Sequence, residues 1–266
     1  MILRHMDMDK EKTVVARVAG ISRHRIITDG PGIRTLVPLC GCRLDCAYCI
    51  NGDLRSFRAG SPCEPEDLLE RVKIDDIYFR SSEGGITFGG GEPLLSTTFI
   101  HRFREICPPE WSIAVETSLN VPSEDVEALI GVVDYWIIDI KDMDPARYLE
   151  YTGETNERVL PNLELLQRKV APSAVRVRIP RIPGLNSDGD VEKSAGIIRA
   201  MGFGIESFEY VVPGHLLKDS MDILPGSIVA PQVTDPQKPE EGWAMRDRLA
   251  DEINRIWLSG DGLQFD

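Results

Sequence analysis

The sequence predicts an α/β fold, a partial (β/α)6 TIM-like barrel with a C-terminal helical extension. Three observations carry this. Six short apolar or β-branched runs recur between about residues 34 and 212, amphipathic stretches separate them, and no repeat or low-complexity tract interrupts the alternation. A chain of 266 residues also has room for one large α/β domain, or two small ones, without disulfide staples.

The strand runs fall at 34–39, 85–88, 112–116, 135–140, 175–179 and 207–212, several of them suited to a sheet covered on both faces. Helical patterns fill the gaps. Residues 67–72 follow Pro65, a first-turn proline; Phe99, Ile100, Phe103 and Ile106 follow Ser96; 124–130 follow Ser123; 160–167 carry an apolar face; 191–200 follow Asp190. Ahead of the first strand, residues 13–27 read as a short hairpin covering one end. Beyond 212 the chain turns through Pro213 and Gly214, passes several prolines, and closes with a helix placing Met245, Leu249, Ile253 and Ile256 on one face. The expected division is a tail over 1–12, the barrel over 13–230 and the helical extension over 231–266. In such a barrel, reactive groups are expected just after the C-terminal strand ends.

Composition narrows the function. The 43 acidic against 30 basic side chains give a formal charge of −13, which repels a phosphate backbone, so nucleic acid is not the expected partner. No stretch approaches the about 18 uninterrupted apolar residues of a membrane helix. The opening residues MILRHMDMDKEK are charged where a signal peptide is apolar, so the expected compartment is the cytoplasm. Four of the six cysteines (Cys40, Cys42, Cys46, Cys49, Cys63 and Cys107) lie within ten residues, and in a reducing compartment such clustering points to metal or redox chemistry.

Cys42, Cys46 and Cys49 form a C-x3-C-x2-C array directly after the first strand. Three thiolates on one loop can hold three irons of a cubane and leave the fourth open to a ligand, whereas a pure electron carrier uses four. A zinc site that recruits Cys40, or simply buried structural cysteines, are the alternatives. Gly89-Gly90-Gly91-Glu92-Pro93 follows the next strand at the same sheet end. Glycines there permit close backbone approach, and the Glu92 carboxylate can accept from an ammonium group. Glu116, Asp139, Lys141, Arg178 and His215 each fall near a C-terminal strand end, where a zwitterionic ligand would need paired charges. Each also has a plainer reading: Asp139 and Lys141 as a solvated edge, Glu116 and Arg178 as a structural pair, His215 as a loop histidine. For Cys40, Cys63 and Cys107 the plainer reading, packing or a loop thiol, comes first.

The cysteine spacing with the GGE turn resembles the radical S-adenosylmethionine superfamily, and more narrowly the glycyl-radical-enzyme activating enzymes of the pyruvate formate-lyase activating type. The narrower likeness rests on Asp29-Gly30-Pro31-Gly32-Ile33-Arg34, on Cys46-Ala47-Tyr48-Cys49-Ile50-Asn51, on Asp139-Ile140-Lys141, on Thr152-Gly153 with Asn156, and on 178–184. It implies one [4Fe–4S] cluster on Cys42, Cys46 and Cys49, with S-adenosyl-L-methionine at the open iron. Tyr48 would lie against the adenine. Gly90, Gly91 and Glu92 would hold the methionine amino end. Lys141, Arg178 and His215 would contact the carboxylate, sulfonium side or ribose. Glu116-Thr117 and Asp139 correspond to positions near the carboxylate and a monovalent cation, with glutamate where the family usually has aspartate.

The implied activity is reductive cleavage of the cofactor to a 5′-deoxyadenosyl radical that removes a hydrogen from a glycine of a partner enzyme, with flavodoxin or ferredoxin as electron donor. No Cys-rich insertion lies between Asn51 and Gly89, so a single cluster is expected. Ile50 stands where many relatives have histidine, and Leu216-Leu217-Lys218-Asp219-Ser220 lacks the usual glycine. Two other functions stay open: a radical enzyme acting on a peptide or small molecule, and a non-catalytic iron–sulfur or zinc-binding structural protein.

Overall fold

The computed structural model describes residues 14–26, 28–182 and 185–210. Six parallel strands form its centre: β3 (Ile33–Leu39), β5 (Gly85–Gly90), β6 (Ser112–Thr117), β7 (Tyr135–Asp139), β8 (Val175–Arg181) and β9 (Ile205–Tyr210). They neighbour one another in chain order without reversal. Right-handed crossovers then put every connecting helix on one side of the sheet, which is the open barrel arrangement and not a doubly wound one.

Those helices are α1 (Pro65–Val72), α2 (Asp76–Ser82), α3 (Thr97–Ile106), α4 (Ser123–Leu129), α5 (Pro145–Thr152), α6 (Val159–Lys169) and α7 (Asp188–Ala200). Alternation along the strands sorts the two sheet faces. Val37, Phe88, Val115, Ile138 and Val177 join helix residues such as Leu68, Phe103, Leu163 and Ile198 in one apolar core. Each such fully buried side chain contributes roughly 1.5–3 kcal/mol. The opposite face carries Arg34, Thr87, Glu116, Asp139 and Arg178, so the barrel interior is polar. No helix among the described residues is long and apolar enough to cross a membrane.

The DGPGIR element closes the N-terminal end of that interior. Arg34, fully buried, donates to the Ile86 and Ser112 carbonyls at 2.5 and 2.9 Å, to the Pro31 carbonyl at 3.1 Å and to Thr87 Oγ1 at 2.6 Å. Burial away from any directly bonded carboxylate pulls its pKa down to about 10. Gly32 has φ +70°, and a Cβ there would lie 2.4 Å from the Ser82 carbonyl oxygen, so only glycine fits.

The predicted strands and helices that fall within the described residues are present, with ends shifted by up to three residues. The hairpin over 13–27 is not. β1 (Ala16–Val18) and β2 (Ser22–Ile26) both run antiparallel to the outer edge of β3, one beyond the other, and β1 also pairs with β4 (Ser61–Cys63). Asp75 ties β2 to β3, pairing with Arg23 of β2 at 3.1 Å and accepting from Thr35 of β3 at 2.9 Å. Cys63 therefore sits on a strand and is buried, not on a loop. For α7 the cap is Ser187, with Asp190 at the third helical position completing a reciprocal capping box. The tail over 1–12, the boundary near 231–240, the closing helix and His215 lie outside the described residues.

Candidate functional site

One cavity opens at the C-terminal ends of the strands, and the three cysteines, Tyr48, the GGE turn, Glu116, Thr117, Asp139, Lys141 and Arg178 all line it. Of the expected site residues only His215 is outside the described residues. The sequence places them across six loops and strand ends, so their meeting depends on the fold.

The cysteine loop leaves β3 at Leu39 and is held from three sides. Gly41 and Cys42 donate their amides to the carbonyls of Leu54 and Arg55, at 2.8 and 3.0 Å. Asp45 and Ala47 donate to Thr152 and Tyr151, at 2.7 and 2.9 Å, which satisfies two of the carbonyls a helix C-terminus leaves open. Asn51 donates to the Gly90 carbonyl at 3.2 Å. Cys42, Cys46 and Cys49 are half-buried and free. Burial pushes all three thiols up, Cys46 to about 11, so loading with metal must displace their protons.

The GGE turn packs directly on this loop: Gly91 donates to Leu39 and Glu92 to Gly41, both at 2.8 Å. A Cβ on Gly91 would lie 2.3 Å from the Gly41 carbonyl oxygen. The close approach these glycines allow is thus to the cysteine loop itself. Glu92 is buried and accepts four hydrogen bonds, from Leu94 N at 3.3 Å, Thr117 Oγ1 at 2.7 Å, Ser118 N at 3.0 Å and Ser118 Oγ at 2.7 Å. It therefore clamps the turn to the end of β6. An incoming ammonium group would have to share its oxygens with hydroxyls that can rotate away.

Inside the barrel runs a row of paired charges. Arg178 Nε lies 2.6 Å from Asp139 Oδ1 and its Nη1 lies 3.2 Å from Glu116 Oε1, while Lys141 Nζ lies 3.5 Å from Asp139 Oδ2. Lys141 also sits 5.9 Å from the Tyr48 ring centroid. These residues face the cavity, so the solvated edge foreseen for Asp139 and Lys141 is not what forms, whereas Glu116 and Arg178 do pair. Burial opposes ionisation of both acids. At Asp139 the two cations outweigh it and hold the carboxyl down to about 2. At Glu116, burial prevails over Arg178 with help from Asp29 and Asp139, and the carboxyl is pushed up to about 7.

The donor set suits the groups the sequence implies. The Tyr48 hydroxyl is buried without a hydrogen-bond partner among the described residues, next to Cys46 and Lys141. No three Cys, His, Asp or Glu side chains among the described residues converge as ligands of one ion would. Three thiols spread around one wall can instead each reach a different corner of a cubane. Sequence reasoning passed over Ser118, which holds Glu92, and Tyr151, whose ring lies edge-on to Tyr48 at 5.7 Å and whose hydroxyl bonds Asp142 at 2.7 Å. It also passed over the cavity floor, where Arg25 meets Asp29 at 2.6 Å. The Thr152-Gly153 and Asp29-Gly30 elements adjoin Tyr151 and the floor, and were the available signals.

Comparison with known proteins agrees with this geometry. The profile of the Radical SAM superfamily matches residues 36–198. Pyruvate formate-lyase 1-activating enzyme of Escherichia coli is 31% identical over 193 residues, covering 71% of this chain and 77% of that protein. Isethionate sulfite-lyase activating enzyme of Nitratidesulfovibrio vulgaris is 27% identical over 247 residues, covering 69% and 80%. Among solved structures, Streptococcus suis SuiB bound to its precursor peptide SuiA has a TM-score of 0.52 at 13% identity, covering 85% of this chain and 46% of that larger one, a likeness of fold alone. A cysteine loop, a GGE turn and a charge row on one open barrel, matched over this length, mean that the chain belongs to the radical SAM superfamily, whose enzymes use S-adenosylmethionine and a [4Fe–4S] cluster.

Proposed function

We propose that this enzyme installs a glycyl radical on a partner enzyme, as the names of its activating-enzyme relatives suggest. The observation that carries the reading is the single cavity shared by Cys42, Cys46, Cys49, the GGE turn and the charge row.

In this reading Cys42, Cys46 and Cys49 would hold the cluster, with S-adenosylmethionine bound beside it. Together these groups would supply a one-electron cleavage of a carbon–sulfur bond to methionine and a 5′-deoxyadenosyl radical. The chain's own residues bind, orient and enclose. Glu92, with Gly90 and Gly91, directs acceptor oxygens at the amino end. Lys141 and Arg178 present cations to the carboxylate while Asp139 holds both in place, and Tyr48 offers its ring and unpaired hydroxyl to the adenine. Leu36, Pro38, Leu44 and Pro180 line the cavity with apolar surface that limits water near a reactive carbon. A glycine suits such a narrow interior because its loop carries no side chain at the reacting carbon. Flavodoxin or ferredoxin would deliver the electron.

Anaerobic reconstitution tests this. With a low-potential reductant and S-adenosylmethionine the protein should release 5′-deoxyadenosine, and addition of a cognate glycyl-radical enzyme should produce the doublet of a carbon-centred glycyl radical in electron paramagnetic resonance. Release of 5′-deoxyadenosine, with no glycyl signal from any glycyl-radical enzyme encoded beside it, would sink the activating role.

A further inference from the structure

The residues that family resemblance assigns to a monovalent cation are largely engaged by the chain's own groups. Asp139 gives one oxygen to Arg178 at 2.6 Å and the other to Lys141 at 3.5 Å. Thr117 faces away: its hydroxyl donates to Glu92 at 2.7 Å and accepts from Leu119 N at 3.0 Å. Glu116 gives Oε1 to Arg178 at 3.2 Å.

Strand geometry explains why glutamate matters. Glu116 sits on β6 and Arg178 on β8, with β7 between them, so their backbones are about 10 Å apart. The extra methylene of glutamate lets the carboxylate cross toward Arg178, and an aspartate would fall short by about one bond length.

We infer that Arg178, set between Glu116 and Asp139, stands where a monovalent cation would otherwise bridge these two acids, so that cofactor binding in this chain needs no added alkali cation. The inference rests on the proposed reading of the row as the polar end of the S-adenosylmethionine site.

The test is S-adenosylmethionine binding to the cluster-loaded protein, measured anaerobically by calorimetry in potassium chloride and in N-methylglucamine chloride at equal ionic strength. Wild type should give dissociation constants within about twofold of each other. Glu116→Asp should bind about tenfold more weakly in N-methylglucamine and recover in potassium. A wild-type affinity that rises about tenfold with potassium would overturn the inference. So would a rise in the unfolding midpoint of the cluster-free chain on the same exchange of salts, a readout that needs no cofactor and stands if Glu116→Asp fails to fold. If the cofactor binds in neither salt, the functional reading falls and takes this inference with it. Binding that responds to potassium removes the inference alone.

Discussion

The Tyr151 carbonyl accepts the Ala47 amide at 2.9 Å, so helix α5 ends on the loop that carries the three cysteines. The same residue reaches the charge row. Its hydroxyl lies 2.9 Å from the Lys141 carbonyl and 2.7 Å from Asp142, and its ring lies edge-on to Tyr48. The backbone and side chain of one residue thus tie the cysteine loop to the end of β7. Tyr151→Phe keeps the ring and the backbone bond but removes the hydroxyl. The expected loss is about 1–2 kcal/mol of stability, because Asp142 is buried and loses a donor. Iron content should be unchanged while S-adenosylmethionine binds more weakly. Denaturant titration, iron analysis and calorimetry check the three parts. A variant that binds the cofactor as tightly as wild type would remove the coupling role.

The second prediction separates the six cysteines. Cys42→Ala, Cys46→Ala or Cys49→Ala should each abolish the visible charge-transfer absorbance of a reconstituted [4Fe–4S] cluster and all 5′-deoxyadenosine release. Cys63 and Cys107 are packed in the apolar core. Their alanine variants should keep the cluster and lose about 1 kcal/mol of stability. Cys40 lies outside the cavity wall, and Cys40→Ala should also keep the cluster. Retention of iron and sulfide by Cys46→Ala would mean that the ligand set is different.

Much of this site was legible in the sequence because its chemistry sits in short collinear elements. Cys42 to Cys49 and Gly89 to Glu92 each occupy one loop, the strands that deliver Glu116 and Asp139 are mostly apolar runs, and the one that delivers Arg178 is β-branched with alternating arginines. Less legible was what those residues touch. Glu92 is bonded by Ser118 from another strand end, a contact between residues 26 apart in the chain. Helix α5 was passed over although Asp144 caps it, Pro145 starts it and Gly153 ends it with φ +76°. Its buried residues are Tyr148, Tyr151 and Thr152, a pattern too sparse to read as an amphipathic stripe. The segment before β3 reads as a hairpin, but strand pairing is a tertiary choice and both of its strands pair with β3.

Glu116 gives a pH prediction. The groups facing it are Arg178 on β8, Asp139 on β7, and Asp29 and Arg25 from the segment around β2. Its folded-state pKa of about 7 lies above the ordinary 4.5, so the folded chain holds this proton more tightly than the unfolded one. Stability is greatest with the group protonated and declines as pH rises from about 4.5 to about 7. Glu116→Gln cannot ionise. The stability of wild type minus that of the variant, measured on the cluster-free chain by urea unfolding, should therefore fall by roughly 2–3 kcal/mol between about pH 5 and pH 8. A difference that rises over this interval would show that Arg178 stabilises the anion more than burial opposes it.

Gly91 supplies the last prediction, because its two neighbours decide what a methyl group does there. A Cβ at 91 would lie 2.3 Å from the Gly41 carbonyl oxygen and 3.0 Å from that of Leu39, both backbone atoms that cannot swing aside. Gly91→Ala must therefore push the GGE turn away from the cysteine loop and break the Gly91 to Leu39 and Glu92 to Gly41 hydrogen bonds together. The expected effect is about 2–3 kcal/mol of destabilisation with reduced cluster loading. Gly131→Ala is the control: its φ of +84° is unfavourable for alanine, as that of Gly91 is not, but nothing lies within 4 Å of the added carbon. That change should cost about 1 kcal/mol and leave cluster loading intact. An equal loss of cluster loading at both positions would mean that loading follows overall stability and not the contact between residue 91 and the cysteine loop.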